Sequence, residues 1–292
     1  MSVTAIHRYP VKSMLGESLP LCRVDQHGLV GDRGYALIDV ETGAVASAKV
    51  PRRWAGLLDF TARYLAEPRP GDPLPPVEIT FPDSSVHRSD AADVDGTLSA
   101  ALGRQVRLST TAPEGATFEE LWPQIDGLAP QKFVDATTSR RDEHTGEAIS
   151  RLELAAFAPG SFFDLSAVHV LAESTLQRLR ELAPDATFDA RRYRPNLLLG
   201  DDVDGFVENS WPGRTLAVGE DGARLTVSMP TMRCVMTTLA QSELPVDAGT
   251  LRTIAKHNRV EIPEMGTWAC AGAYADVAAG GEVRVGDAVR VT

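Results

Sequence analysis

Residues 230–238 read P-T-M-R-C-V-M-T-T, which places one thiol directly after an arginine and ahead of two hydroxyls. The preceding residues, 224–229, have strand composition and stop at Pro230, so Cys234 is predicted to lie on a loop where the chain leaves a sheet. An adjacent guanidinium, here that of Arg233, favours the thiolate, which is the metal-binding form of cysteine. The stretch therefore indicates a metal-ligand loop. A cysteine that serves as a small core residue is the alternative.

The composition is that of a globular chain, long enough for two domains of ordinary size: 292 residues, 43% hydrophobic and 24% charged. Its net charge of -11 disfavours nonspecific attraction to nucleic acid or anionic lipid. No stretch approaches the roughly 18 apolar residues of a membrane span. We therefore predict neither a nucleic-acid partner nor a membrane partner.

The cysteines number three, are widely separated and contain no C-x-x-C pair, which argues against a disulfide framework or an iron–sulfur cluster. Cys22 and Cys270 lie in apolar surroundings and are assigned structural roles. Residues 1–10 lack the apolar run of a secretory signal. These features predict a cytoplasmic protein.

The first part of the chain predicts mostly β structure and ends near residue 110. A strand at 3–9 stops at Pro10 and presents Lys12 and Ser13 at its end, while three glycines allow tight backbone geometry around Arg33. The other predicted elements are strands 19–25, 57–64, 77–81 and 105–109, a hairpin of 35–40 with 44–48, and a helix within 90–102. Residues 111–164 lack a sustained period and are predicted to be an irregular connection.

The second part, 165–292, begins with a strand that contains His169, predicted to be a packed strand histidine rather than a base. The other predicted elements are helix 173–182, strands 214–218 and 224–229, a helix after Cys234, a helix 251–256 capped by Asp247, and a closing hairpin around Gly286. The fold class is therefore mainly β with a few helices, an α+β protein.

The run R-R-Y-R-P-N at 191–196 places three arginines in four residues of an acidic chain, which invites an anion. The alternative is a solvated patch paired to carboxylates such as Asp189 and Asp201. Pro195 is expected to hold Arg194 in an extended conformation before a buried strand. The side chain of Arg194 is therefore predicted to point into the structure.

Five motifs in this order resemble one family: V-K-S (11–13), G-D-R (31–33), R-Y-R-P-N (192–196), R-C-V-M-T-T (233–238) and V-R-V-G-D (283–287). It is the MOSC family, named after molybdenum cofactor sulfurase C-terminal domains. The order is similar to the subgroup that contains the mitochondrial amidoxime-reducing component and bacterial hydroxylaminopurine-detoxifying proteins. The resemblance covers nearly the whole chain and implies an N-terminal β-barrel domain (1–110) followed by a β-barrel-like MOSC domain (165–292).

The resemblance also implies a molybdenum–pyranopterin cofactor, with Cys234 as metal ligand and catalytic residue. The cofactor has an anionic phosphate, which needs cations and hydrogen-bond donors. The positions that match the family's cofactor-binding residues are Lys12, Ser13, Arg33, Arg194, Asn196, Arg233 and Cys234. Two departures stand near them, since Met232 replaces a common serine and Lys49 replaces a common arginine.

The activity that the resemblance implies is reduction of N-hydroxylated compounds by a monomeric enzyme. The chain has neither the cysteines for an iron–sulfur cluster nor a G-x-G-x-x-G fingerprint, so a separate reductase or iron–sulfur protein must supply electrons. The alternative is a sulfur carrier or sulfurtransferase with a persulfide on Cys234, or a carrier of the cofactor itself.

Overall fold

A computed structural model describes residues 1–154, 160–200 and 203–292, and it is built mainly of strands. The strands are β1 (Ser2–Arg8), β2 (Glu17–Leu19), β3 (Leu21–Asp25), β4 (Gly28–Leu29), β5 (Ala36–Asp39), β6 (Thr61–Tyr64), β7 (Val77–Thr80), β8 (Val86–Arg88), β9 (Val106–Ser109), β10 (Thr117–Trp122), β11 (Thr138–Arg141), β12 (Ala148–Glu153), β13 (Val168–Ala172), β14 (Leu197–Gly200), β15 (Thr215–Val218), β16 (Arg224–Met232), β17 (Arg259–Ile262), β18 (Gly266–Ala279), β19 (Gly281–Arg284) and β20 (Val289–Val291). The helices are α1 (Pro51–Trp54), α2 (Val94–Leu102), α3 (Gln131–Thr137), α4 (Glu173–Leu182) and α5 (Ala248–His257). The predicted fold class, α+β and mainly β, is confirmed.

The largest sheet in the described residues has nine strands, in the order β2-β1-β14-β13-β18-β16-β15-β20, with β17 paired to β18. The long strand β18 lies at its centre and pairs with β13, β16 and β17. The one parallel pair described within it is β13 with β14. Because β16 ends at Met232 beside Cys270 of β18, the sheet delivers Arg233 and Cys234 from its interior.

The amino-terminal strands pair with strands of the second half. β1 pairs with β14, and β3 pairs with β19. A separate core cluster, formed mostly by residues between Val11 and Ile149, also contains Val235, Met236 and Leu239 from the chain after Cys234. Strands therefore pair, and core residues pack, across the predicted domain boundaries. The boundaries at residues 110 and 164 stay predictions.

The prediction of an irregular connection at 111–164 is wrong for its described residues, because β10, α3, β11 and β12 lie there. Strands β10, β12 and β11 form an antiparallel sheet. β10 is hard to recognise in the sequence because it contains two buried carboxylates, Glu119 and Glu120. Their burial is compensated by ion pairs with Arg53, Arg140 and Lys49. Two adjacent charges remove the polar–apolar alternation by which a strand is ordinarily recognised.

Several predicted hairpins and helices also differ from the structure. The turn at Gly286 exists, but β19 pairs with β3 whereas β20 pairs with β15, so no closing hairpin forms. The predicted pairing of 35–40 with 44–48 is present, because the N–H of Asp39 donates to the carbonyl of Ala44 at 2.9 Å and the N–H of Ala46 donates to that of Leu37 at 2.8 Å; β5 also pairs with β9. A 3-10 helix, Ala55–Asp59, precedes β6, and another, Val235–Thr238, replaces the helix predicted after Cys234.

The locally encoded helices agree with the sequence. α4 has the predicted bounds, and Asp247 accepts a hydrogen bond from the backbone N–H of Gly249 at 2.9 Å to cap α5. Cys22 and Cys270 are buried in two different apolar clusters. Within the described ranges, no helix combines the length and apolar character that a bilayer span requires.

Candidate functional site

A small cavity of about 90 Å³ lies where the chain leaves β16. Residues that are far apart in sequence line it, and six of the seven predicted site residues are among them: Lys12, Ser13, Arg33, Arg194, Arg233 and Cys234. The cavity also contains Lys49, Asp164 and Tyr274 in its lining. The cavity therefore brings several cationic side chains close to one thiol.

Cys234 has an extended backbone, with φ -131° and ψ -178°, and is followed by the 3-10 helix Val235–Thr238. Thr237 donates its hydroxyl to the carbonyl of Cys234 at 3.1 Å, which fixes the start of this turn. Burial raises the pKa of the Cys234 thiol to about 11, and the ammonium of Lys49 is the main group that opposes this rise. Burial therefore shifts the thiol pKa upward, whereas the neighbouring guanidinium of Arg233 predicted a downward shift.

The guanidinium of Arg233 bonds to backbone carbonyls and not to the thiol. It donates to the carbonyl oxygens of Ala271, at 2.7 Å, and Tyr193, at 3.1 Å, and it contacts the ring of His169. A side chain at Gly272 would collide with this arrangement, since a Cβ there would lie 2.5 Å from His169 Nε2. Arg233 therefore holds the loop against β18 while its neighbour faces Lys49.

Beside the thiol lies a largely buried set of four charges, Lys12, Lys49, Glu120 and Asp164, here termed the charge cluster. Lys49 donates to Glu120 at 2.9 Å and lies 3.2 Å from Asp164, which also pairs with Lys12. Burial alone would raise the pKa of Asp164, but the two ammonium groups hold it below its usual range. Burial lowers the pKa of Lys12 to about 8 despite Asp164.

Arg194 is the least compensated cation at the cavity. It is 8% exposed and its guanidinium lies 4.1 Å from the centre of the Tyr9 ring, yet neither terminal nitrogen has a hydrogen-bond partner among the described residues. Burial lowers the pKa of Arg194 to about 10, which leaves it charged at neutral pH. Because an unpaired buried donor costs about 1–3 kcal/mol, this geometry fits an anion as the missing partner.

The backbone of Arg194 differs from the prediction. Its φ of 54° is left-handed rather than extended, because its N–H closes a 3-10 turn onto Arg191. Of six non-glycine residues with positive φ in the described ranges, three line this cavity: Ser13, Arg33 and Arg194. Conformations of this kind cost free energy and gather at binding sites.

Asn196, the seventh predicted site residue, does not line the cavity. Its side chain accepts from the N–H of His169 at 3.0 Å and donates to Asp32 at 2.9 Å. Asp32 in turn pairs with Arg33, whose guanidinium also lies over the Tyr9 ring at 5.1 Å. Asn196 therefore positions Arg33 indirectly, through Asp32, without lining the cavity itself.

The other two arginines of the run have different surroundings. Arg191 has a half-exposed side chain and pairs with Asp189 and Glu243, as the solvated-patch alternative expects, while Asp201 lies outside the described residues. Arg192 is 1% exposed and donates to the carbonyls of Leu239, at 2.9 Å, and Pro245, at 2.6 Å. It ties the run to the chain that follows Cys234.

Arg192→Met should lower the free energy of unfolding by about 2–3 kcal/mol, because buried carbonyls lose their donor. Arg191→Met is the matched control and should change it by less than about 0.5 kcal/mol, since its ion pairs are solvated. Urea unfolding followed by fluorescence measures both. Equal losses in the two variants would show that Arg192 does not anchor the loop.

His169 is a packed strand residue, as predicted. It is 5% exposed, its Nδ1 lies 3.3 Å from the carbonyl of Arg194, and burial holds its pKa well below the usual value. The sequence reasoning missed Asp164, Glu120 and Tyr274. Asp164 and Glu120 lie in the segment interpreted as irregular. The one related signal in the sequence is Lys49, a cation at a position where the family commonly has arginine, which pairs with both carboxylates.

The donor set decides what kind of metal centre could form. No group of three His, Cys, Asp or Glu side chains converges anywhere in the described part of the chain to hold a metal ion. A metal at Cys234 would therefore need most of its ligands from a cofactor that brings them, and the cations around it suit an anionic one. In charge and donor type the residues present fit a metal carried by a phosphate-bearing organic group, of which a cavity of about 90 Å³ encloses only a part.

The fold and the cavity thus define a β-rich protein with one thiol beside a buried cationic site. The family profile described as the MOSC domain matches residues 158–290, and the MOSC N-terminal beta barrel domain matches residues 1–57. The chain belongs to the MOSC family, in the group that has this N-terminal domain.

Two solved structures show partial similarity. The crystal structure of YiiM from Geobacillus stearothermophilus is 17% identical with a TM-score of 0.32, and the match covers 44% of this chain and 54% of that chain. The YUAD protein from Bacillus subtilis is 12% identical with a TM-score of 0.35, covering 60% and 96%. Comparison with curated proteins gives no significant match.

Proposed function

We propose that the cavity binds a molybdenum–pyranopterin cofactor and that the protein reduces N-hydroxylated compounds such as hydroxylamines, amidoximes and N-hydroxylated bases. The observation that carries the proposal is the pair of guanidinium nitrogens of Arg194 that have no hydrogen-bond partner in the described part of the chain, in a cavity that also contains the thiol of Cys234. Membership of the MOSC family supports the cofactor class. The overall reaction takes R–NHOH, two electrons and two protons to R–NH2 and water.

Each lining residue has a distinct part in this proposal. Arg194, Arg33 and Lys12 would hold the anionic end of the cofactor, and Ser13 and Arg33 line the same cavity in left-handed backbone conformations. Asn196 orients Arg33 through Asp32. When bound, such a cofactor would supply two-electron, oxygen-transfer chemistry.

Cys234 would serve as the thiolate ligand from the protein. Metal binding requires the deprotonated thiol, so the raised pKa means that the proton leaves when the metal binds. Lys49 faces the sulfur and stabilises the negative charge, and its own charge is fixed by Glu120 and Asp164. Arg233 holds the loop that carries this ligand.

Metal and pterin analysis of purified protein tests the proposal, followed by turnover of a hydroxylamine with a chemical reductant. Near-stoichiometric molybdenum together with amine formation is the expected result. Molybdenum without turnover would indicate a cofactor carrier. Metal-free protein with labile sulfur on Cys234 would instead indicate sulfur transfer.

Reduction by NADH should require an added reductase or iron–sulfur protein, because the chain has no recognisable dinucleotide fingerprint. A chemically reduced dye should replace both NADH and the added protein partner as the source of electrons. Absorbance at 340 nm, followed with and without the added partner, measures the difference. Robust NADH consumption by the isolated, flavin-free protein would contradict this expectation.

A further inference from the structure

A second cavity, of about 300 Å³, adjoins the first. The two share part of their walls: Lys49, Asp164, Met232, Arg233 and Tyr274. The remaining walls of the second cavity are dominated by aromatic rings, and we term it the aromatic pocket after Phe118, Trp122, Phe133, Trp268 and Tyr274. A molecule in the aromatic pocket would reach the side of the site where Cys234 lies.

Three of these rings, Trp122, Phe133 and Trp268, pack against one another on one side of the pocket. Phe133 packs edge-on against Trp268, with centroids 5.0 Å apart, and against Trp122, at 5.9 Å. Both indole N–H groups are satisfied within the protein, because Trp122 donates to Ser150 at 2.8 Å and Trp268 donates to the carbonyl of Met265 at 2.9 Å. These three rings therefore offer the pocket carbon surface and no free donor.

The polar groups of the aromatic pocket are unevenly placed. Lys49, Asp164 and Arg233 belong to the wall shared with the first cavity, and Glu120 is ion-paired to Lys49 there. Glu153 is exposed and lies at the solvent side. A suitable ligand therefore has a flat apolar body and a polar head directed at the shared wall. The volume is at the lower end for ligand sites, about 300–1,000 Å³, which suits one or two fused rings.

We infer that the aromatic pocket holds the body of the substrate, so that the protein favours planar aromatic or heteroaromatic N-hydroxylated compounds over small aliphatic ones. This inference rests on the proposed function for the identity of the head group. The aromatic walls themselves select the body, because stacked and edge-on ring contacts favour another ring over an alkyl group of similar polarity.

The test uses benzamidoxime and acetamidoxime, which share the amidoxime head and differ in carrying a phenyl or a methyl group. Each is titrated into metal-free protein while tryptophan fluorescence is recorded, since Trp122 and Trp268 line the pocket. We expect saturable binding of benzamidoxime and binding of acetamidoxime that is weaker by about tenfold or more. Equal binding of the two ligands, or binding of neither, would overturn the inference.

Phe133→Leu should weaken benzamidoxime binding by about fivefold while leaving acetamidoxime binding unchanged. The matched control is Phe206→Leu, because Phe206 is also partly buried against the same apolar cluster but lies outside the pocket. If both variants bind benzamidoxime as the unmodified protein does, the pocket is not the binding site. The preference of the unmodified protein is informative even if Phe133→Leu does not fold.

Turnover by molybdenum-loaded protein separates this inference from the proposed function. Selective binding of benzamidoxime without its reduction would support the pocket and contradict the reductase. Reduction of both amidoximes with equal kcat/KM would support the reductase and contradict the pocket.

Discussion

Cys234→Ser protein should show no measurable reduction of N-hydroxylated substrates and should retain far less molybdenum than the unmodified chain. A neutral hydroxyl is a poor ligand for a metal that prefers soft sulfur donors. Cys234 is the one cysteine in the described lining of the cavity, so no second thiolate is available to replace it. Metal content per folded protein and initial rates with a dye reductant measure the two effects.

Cys22→Ser and Cys270→Ser provide the controls. Each thiol is buried in an apolar cluster and neither lines the cavity, so a hydroxyl there should reduce stability by about 1–3 kcal/mol and leave metal content and rate per folded molecule unchanged. A Cys234→Ser protein with full activity and bound metal would show that the ligand assignment is wrong.

Arg194→Ala should give folded protein that binds the cofactor ten- to a hundredfold more weakly. A charge-assisted hydrogen bond to phosphate contributes about 1.5–3 kcal/mol, which corresponds to that range of affinity. Because both terminal nitrogens lack partners among the described residues, their removal leaves no acceptor there unsatisfied. The free energy of unfolding of the metal-free variant should therefore change by less than about 1 kcal/mol. Pterin content and urea unfolding test the two statements.

Arg191→Ala removes the same charge from the same run and should keep nearly normal cofactor content, because its side chain is half exposed and paired with Asp189 and Glu243. Equal cofactor content in the two variants would contradict the placement of the anionic end. So would an Arg194→Ala protein that unfolds while Arg191→Ala loses cofactor.

Local signals in the sequence predicted local structure well. Asp247 caps α5, and α4 has its predicted bounds, because capping groups and helical periodicity act within a few residues. β10 was missed because Glu119 and Glu120 become acceptable inside a sheet only through Arg53, Arg140 and Lys49. Those partners are distant in sequence, and no short pattern contains them.

The same limit explains the electrostatics of Cys234. Proximity to Arg233 in sequence predicted a lowered pKa, but successive side chains on an extended backbone point in opposite directions. Arg233 therefore bonds to Ala271 and Tyr193, while the cation that acts most strongly on the thiol is Lys49. The motifs correctly selected residues that meet at the cavity, but not the individual contacts that they make there.

The pairing of β1 with β14 has a consequence for synthesis of the protein. A ribosome makes Lys12 long before Tyr274, and the nascent chain cannot enclose the cavity until both are present. Pairings of such sequence separation form late and slowly. Apolar strands of the growing amino-terminal part must wait for their partners, a period in which aggregation competes with folding. Insertion of the proposed cofactor would therefore follow translation of both segments.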